Sequence, residues 1–279
     1  MLMIHSYFLN DRINQFRNNI PVIAKQAKVS NLCLKKNNHT TILYTDNESF
    51  PFFKDIPYDD IKIIDPREFG LPNLKQYWAL TKFIPAILTK EPFLHSDIDL
   101  FLPNSNSILN DISLDNSIIT MHYEPWVHSS LFNILPSNII KQVFDIDSSK
   151  AQVYNFSIFG GKDIQTIQSA INRLIAGIKN NLQVIDDILM PVRSDPYDRN
   201  WRHSVFAEQY ILPAIISQIY SKPISVLMPE TIGARSQIDV RIMMKQRDIL
   251  HLWTLKKTIE QWIGLSKMMD ILELYYKSN

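Results

Sequence analysis

In the first half of the chain, short apolar runs alternate with longer amphipathic ones, and several of the runs end on a carboxylate. Residues 2–8 read as a strand, Ile13 through Ala27 as a helix kinked or broken at Pro21, Thr41 to Tyr44 as a second strand and Ile61 to Ile64 as a third. Tyr77 to Leu88 suits a helix bent at Pro85, and Phe93 to Leu102 reads as a fourth strand interrupted by Asp97 and Asp99. This order argues for an α/β fold, a mostly parallel central sheet with helices packed on it. In such open sheets the ligand crevice lies outside the carboxyl ends of the strands, so the acidic residues placed there are expected to face substrate.

The second half is less regular. It offers strands at Ser117 to His122 and at Val153 to Phe159, the latter closed by Gly160-Gly161, and helices near Ile139 to Phe144, Ile164 to Ile178 and Phe206 to Tyr220. Residues 191–204 read as a polar, aromatic and basic loop, of a length that is often functional. Strands at Ile224 to Met228 and Ile249 to Trp253 precede an amphipathic helix from Lys256 to Tyr276, expected to pack on the core or on a partner through residues such as Trp262, Ile263 and Met269.

Composition narrows the function. A formal net charge of +1 gives no global attraction to polyanions, so nucleic acid is not suggested as a partner. The lone Cys33 forms neither an internal disulfide nor a thiolate metal cluster, which suits a reducing compartment. The first residues lack the features of a signal peptide, and no run approaches the roughly 18 apolar residues that span a bilayer. A cytoplasmic protein is expected, with peripheral membrane contact left open. With six glycines and no glycine-rich phosphate loop, any phosphate must be held by a metal or by side chains.

An Asp-x-Asp triplet proves little alone, because 20 aspartates in 279 positions give about 1.4 such triplets by chance. The chain has two. Asp145-Ile146-Asp147 follows a helical stretch and precedes Ser148-Ser149-Lys150, and reads as a solvated helix end. The other lies inside Phe93-Leu94-His95-Ser96-Asp97-Ile98-Asp99-Leu100-Phe101-Leu102, pressed by apolar residues from both sides. Strand alternation would set Asp97 and Asp99 on one face, and His95 with them. Two converging carboxylates repel unless a cation sits between them, and oxygen ligands suit Mg²⁺ or Mn²⁺. The alternative is a polar edge paired with arginine or with a helix N-terminus.

The order of motifs resembles a GT-A-fold glycosyltransferase, particularly the family 8-like retaining galactosyl- and glucosyltransferases. Lys82 in Tyr77-Trp78-Ala79-Leu80-Thr81-Lys82-Phe83 stands where that family usually has arginine, on the helix before the Asp-x-Asp strand. Tyr154-Asn155-Phe156-Ser157-Ile158-Phe159-Gly160-Gly161 resembles its Asn-containing strand, and Glu208-Gln209-Tyr210-Ile211-Leu212 its Asp-Gln-Asp-Ile-Leu helix start. His251-Leu252-Trp253-Thr254-Leu255-Lys256-Lys257 matches in part its late H-x-x-G-x-x-K motif, with Thr254 in place of the glycine. The resemblance covers about residues 2–257 and implies a GT-A-like domain over 1–255, with residues 256–279 as a helix packed on it.

It also implies a set of roles. Asp97, Asp99 and His251 would hold the metal, and Lys82 and Lys257 would face a nucleotide-sugar diphosphate. Glu208, Gln209 and Asn155 would form the catalytic side near the donor sugar. Tyr44 and Asp46, at the end of the second strand, and Ser157 would complete the donor site, while His122, Glu124 and Trp126, with His128 beside them, would line the acceptor side. Two other readings stay open, a nucleotidyltransferase, which also uses Asp-x-Asp but needs an upstream Gly-Ser pair absent before Asp97, and a non-catalytic nucleotide-sugar-binding protein.

Overall fold

Leu2-Met3-Ile4-His5-Ser6-Tyr7 is buried along its whole length, as expected of a strand covered on both faces. The structure, a computed structural model, describes residues 1–9, 18–71, 76–103, 118–123, 135–147, 152–189, 201–222, 224–226, 250–251 and 259–278. In chain order it runs β1 (Leu2–Tyr7), α1 (Ile20–Lys36), β2 (Thr40–Thr45), β3 (Asp60–Ile63), a 3₁₀ helix (Trp78–Phe83), α2 (Ile84–Leu88), β4 (Phe93–Ser96) and β5 (Leu100–Phe101). There follow β6 (Ile118–Tyr123), α3 (Ser137–Phe144), β7 (Tyr154–Gly161), α4 (Ile164–Asn180), α5 (Leu182–Leu189), α6 (Trp201–Val205), a π-helix (Phe206–Ile211), α7 (Leu212–Ile219), β8 (Ser225–Val226), β9 (Leu250–His251) and α8 (Ile259–Ser278). These elements fall into two units, one from residues 1–64, 93–114 and 232–279 and the other from residues 65–92 and 115–231.

In the first unit the strands lie in the order β3-β2-β1-β4, all parallel, with Leu2 opposite both Thr40 and Phe93. Beyond β4 the chain leaves this sheet, and β5 pairs antiparallel with β9. The helix before β2 runs from Ile20 to Lys36, with Pro21 in its first turn, where a missing N–H is harmless and φ is already helical. Positions 13–17 of the expected helix lie outside the described residues. Ile23, Ala27, Val29 and Cys33 of α1 form one apolar cluster with Trp262, Leu265, Met268, Met269 and Tyr276 of α8. Ion pairs Lys25–Asp270 and Lys28–Glu273, each 2.7 Å, flank that seam. Ile263, expected to pack, is exposed instead.

In the second unit β6 pairs antiparallel with β7 and parallel with β8, with an irregularity between Thr120 and His122. The Tyr77–Leu88 helix is a 3₁₀ segment that becomes α-helical at Ile84, with Pro85 in the first turn of the new helix rather than at a bend inside one. Asp163 caps α4 by accepting from Thr166 N at 3.1 Å, and Gln168 Nε2 donates to the carbonyls of Ala86, Ile87 and Thr89 that end α2. Phe83, Phe156 and Phe159 pack edge-on and tilted within this unit. Asp145 ends α3 in the left-handed conformation with an exposed side chain, as a solvated helix end should. Residues 201–204, expected in a loop, are helical, and α5 was not anticipated. Among the described residues no helix is long and apolar enough to cross a membrane.

Gly177 of α4 lets Phe144 approach: a Cβ there would lie 2.7 Å from the ring. Gly177→Ala gains helix propensity of about 1 kcal/mol but overpacks by ~1–3 kcal/mol. We expect a net loss on the order of 1 kcal/mol in urea unfolding, and a variant as stable as the parent would show that the ring yields freely. Burial also depresses two imidazoles of the first unit, His5 to about 3, with the charge of Asp99 opposing, and His39 to about 4, helped by the N-terminal amine. A base whose pKa is lowered on folding adds stability in full above its unfolded value near 6.5 and loses it as pH falls toward the folded value. Stability is therefore expected to drop between pH 6.5 and 4 by up to ~1.4 kcal/mol per pH unit for each imidazole. His39→Gln should make that slope shallower; an unchanged slope would remove His39 from the account.

Candidate functional site

The carboxylates of the first unit lie in a turn. The β4 ladder stops at Ser96, the Leu100 N–H donates to the Asp97 carbonyl at 3.0 Å, and Leu100 and Phe101 enter the ladder with β9. The alternation expected for one strand over Phe93–Leu102 therefore does not hold. The physical reason is that the apolar run serves two sheets, and a four-residue reversal joins them. Asp99 and Ile98 are buried and Asp97 is half-buried. His95, expected beside the aspartates, is packed in the interior, with its Nε2 2.8 Å from Ser6 Oγ.

β9 sets His251 opposite Leu100, one residue from Asp99. Its ring lies outside what the structure describes, and among the described residues no three His, Cys, Asp or Glu side chains form a metal-binding group. Two carboxylates and an imidazole are a donor set that suits Mn²⁺ or Mg²⁺. The charge of Asp99 acts on the imidazole of His5, which burial holds uncharged at neutral pH.

At the carboxyl end of β2, in the same parallel sheet, Asp46 is buried and its Oδ1 accepts from Ser49 N at 2.7 Å, forming the turn that leads to residues 50–53. Ser49 Oγ in turn accepts from Leu9 N at 3.0 Å, tying the exits of β1 and β2 together. Tyr44 is buried, with Lys62 Nζ 3.3 Å from its hydroxyl and over its ring. Lys257 lies outside the described residues.

In the second unit, Lys82 and Glu208 form an ion pair of 2.7 Å with side chains 11% and 8% exposed. Lys82 also donates to the Phe156 carbonyl at 3.3 Å, fixing the pair to β7. Glu208 is thus a buried, paired carboxylate. It sits inside a continuous helical run, in the π-helical stretch Phe206–Ile211, and wider turns of this kind are frequent at functional sites. Gln209 is half-buried, and its Oε1 has no hydrogen-bond partner among the described residues. Asn155 Oδ1 accepts from Ser157 N at 2.8 Å, and both side chains are buried. His122 lies opposite Asn155 in the ladder, its ring outside the described part, as are Glu124, Trp126 and His128.

The pairing of Lys82 with Glu208 was not legible from the sequence, which gave the two residues separate roles 126 positions apart. Nor was the hydrogen-bonded group of His5, Ser30, Tyr58 and Ser96 beneath the turn. A visible signal is the pair His5-Ser6 inside an otherwise apolar strand.

Among solved structures, the bifunctional glycosyltransferase WbbM is similar to the chain at 9% identity, with a TM-score of 0.50 over 100% of this chain and 51% of that one. The galactosyltransferase LgtC, solved with donor and acceptor sugar analogs, is 11% identical, with a TM-score of 0.46 over 99% and 96%. The glycosyltransferase GlyE of Streptococcus pneumoniae TIGR4 is 12% identical, with a TM-score of 0.43 over 99% and 63%. No curated protein matches the chain in sequence. The fold is GT-A-like α/β, as the likeness to WbbM and the parallel strands with their flanking helices indicate. A family model matches residues 1–278, and the chain belongs to that family, described as "Family of unknown function (DUF6734)".

Proposed function

We propose that the chain is a glycosyltransferase that moves a sugar from a nucleotide-diphosphate donor, a uridine-diphosphate sugar, to a hydroxyl of a glycan or other acceptor, with retention. The observation that carries this reading is the turn at Asp97–Asp99, at the carboxyl end of a buried parallel strand, with the backbone of His251 across from Leu100. The GT-A-like fold supports the same reaction class.

Asp97, Asp99 and His251 would hold Mn²⁺ or Mg²⁺, which when bound supplies Lewis-acid stabilisation of the diphosphate leaving group. Asp46 and Tyr44, at the exit of β2, contact the nucleoside, and Lys257 adds positive charge toward the diphosphate. Glu208 accepts from hydroxyls of the donor sugar near the anomeric carbon, held in place by Lys82, which is matched to it inside its own unit. Gln209, Asn155 and Ser157 orient the same sugar, and His122, Glu124 and Trp126 serve the acceptor.

Purified protein is expected to bind and slowly hydrolyse a uridine-diphosphate sugar when Mn²⁺ or Mg²⁺ is present. Asp99→Ala should lower turnover ~100-fold or more. Binding that ignores both the metal and that substitution would count against the reading, as turnover of a nucleoside triphosphate alone would favour a nucleotidyltransferase. Product stereochemistry, read by NMR, should show retention, and inversion would remove that part.

The ion pair offers a separate test. Glu208→Gln leaves Lys82 buried without its partner and should cost ~3–5 kcal/mol in stability. Lys82→Met with Glu208→Leu should recover much of that loss. If the pair serves the donor, turnover stays low in this double variant despite restored stability; recovery of both together would reduce the pair to a packing feature.

A further inference from the structure

The Asp97–Asp99 turn is gripped at both ends from inside the sheet. Before it, Ser96 Oγ lies 2.9 Å from His5 Nε2; after it, Ser30 Oγ donates to the Leu100 carbonyl at 2.6 Å. The two grips are one network, since Ser30 Oγ is also 3.3 Å from His5 Nε2 and His5 Nδ1 is 2.7 Å from the Tyr58 hydroxyl. His5, Ser30 and Ser96 are at most 1% exposed.

The Ser30 hydroxyl proton goes to Leu100 O, and His5 Nε2 lies between the Ser96 and Ser30 hydroxyls, nearer to Ser96. Nδ1 shares a hydrogen bond with the Tyr58 hydroxyl, which burial keeps protonated far above its ordinary range. The four side chains form one connected hydrogen-bonded network, and such a network in low dielectric resists rearrangement. What it holds rigid is a reversal whose only two carboxylates are Asp97 and Asp99. His5, Ser30 and Ser96 are closed off from solvent, and Tyr58 is half-buried behind them.

We propose that His5 and Ser30, with Tyr58 behind them, are positioning residues that clamp the ends of the turn and set the spacing of the Asp97 and Asp99 carboxylates for a divalent cation. The inference rests on the metal reading above. Groups that orient ligands without touching the metal commonly change metal affinity ~10–100-fold when removed.

The test uses Mn²⁺ alone as the probe. Free Mn²⁺ is followed by electron paramagnetic resonance at a temperature well below unfolding, so affinity is read apart from activity. The full chain should bind Mn²⁺ and Asp99→Ala should not. Ser30→Ala should weaken binding ~10–100-fold, and Ser30→Thr, which keeps the hydroxyl, should restore it. Thr41→Val, which removes another buried hydroxyl from the same unit, bonded to Asp59 at 3.4 Å, should leave affinity unchanged. Should Ser30→Ala not fold by circular dichroism, Tyr58→Phe gives the same reading through loss of the phenol hydroxyl. Wild-type affinity in Ser30→Ala or Tyr58→Phe, with Asp99→Ala defective, overturns the clamp and leaves the metal reading standing. A loss in Thr41→Val equal to that in Ser30→Ala also overturns the clamp, because it makes the effect general. Absence of Mn²⁺ binding by the unaltered chain overturns the metal reading, and the clamp with it.

Discussion

Parallel pairing of β1 with both β2 and β4 is the constraint on which the first unit rests. Parallel strands share a direction, so every exit from the sheet occurs at one edge, and the chain must reach that edge before anything can be built there. Asp46 follows β2 and Asp97 follows β4, so both stand at that edge although 51 positions separate them in sequence. β1 changes partner there, with β2 on one side and β4 on the other, which is the place where an open sheet leaves a crevice. Covering the sheet falls to α1, and covering α1 falls to α8, whose Trp262, Met269 and Tyr276 enter the same apolar cluster. The last helix is therefore part of what keeps the sheet dry.

The second unit shows the opposite economy of charge. Lys82 and Glu208 are removed from water together, and desolvation cancels much of what the contact returns, so such a pair is a weak source of stability. Apolar side chains of similar size would hold that interior at least as well. A stability argument thus leaves the pair unexplained, while a requirement for a fixed carboxylate explains it. The lysine fills that role from a rigid place, because its ammonium is also tied to the Phe156 carbonyl of β7. The π-helical stretch adds a local distortion of the helix at the position of the carboxylate.

What the sequence discloses of this fold follows the range of the interactions involved. Strands β1, β2 and β3 and helix α4 are legible because their apolar pattern is local and strong. Pro85 marks the right place with the wrong meaning, since one residue type bends a helix from inside and begins one from its first turn, and pattern alone does not separate the two. The run Phe93–Leu102 misleads for a different reason. An apolar residue looks the same whichever sheet receives it, so the departure of Leu100 and Phe101 toward β9 leaves no local trace. Lys82 and Glu208 could be suspected singly but not as partners, because their contact depends on how three elements of the second unit pack.

One further trace was present and is physical in origin. In β1 the order is Leu2-Met3-Ile4 and then His5-Ser6, and in β4 it is Phe93-Leu94 and then His95-Ser96, with Ile4 opposite His95. Two neighbouring buried strands thus change from apolar to polar at the same end. A buried polar side chain is tolerated only where partners are assured, and here each strand supplies the other's: Ser6 meets His95, and His5 meets Ser96. The change of polarity along a buried strand points toward the end at which the chain has work for polar groups. Applied to this sheet, that rule selects the edge where Asp97 and Asp99 turn, using residues outside the Asp-x-Asp triplet itself.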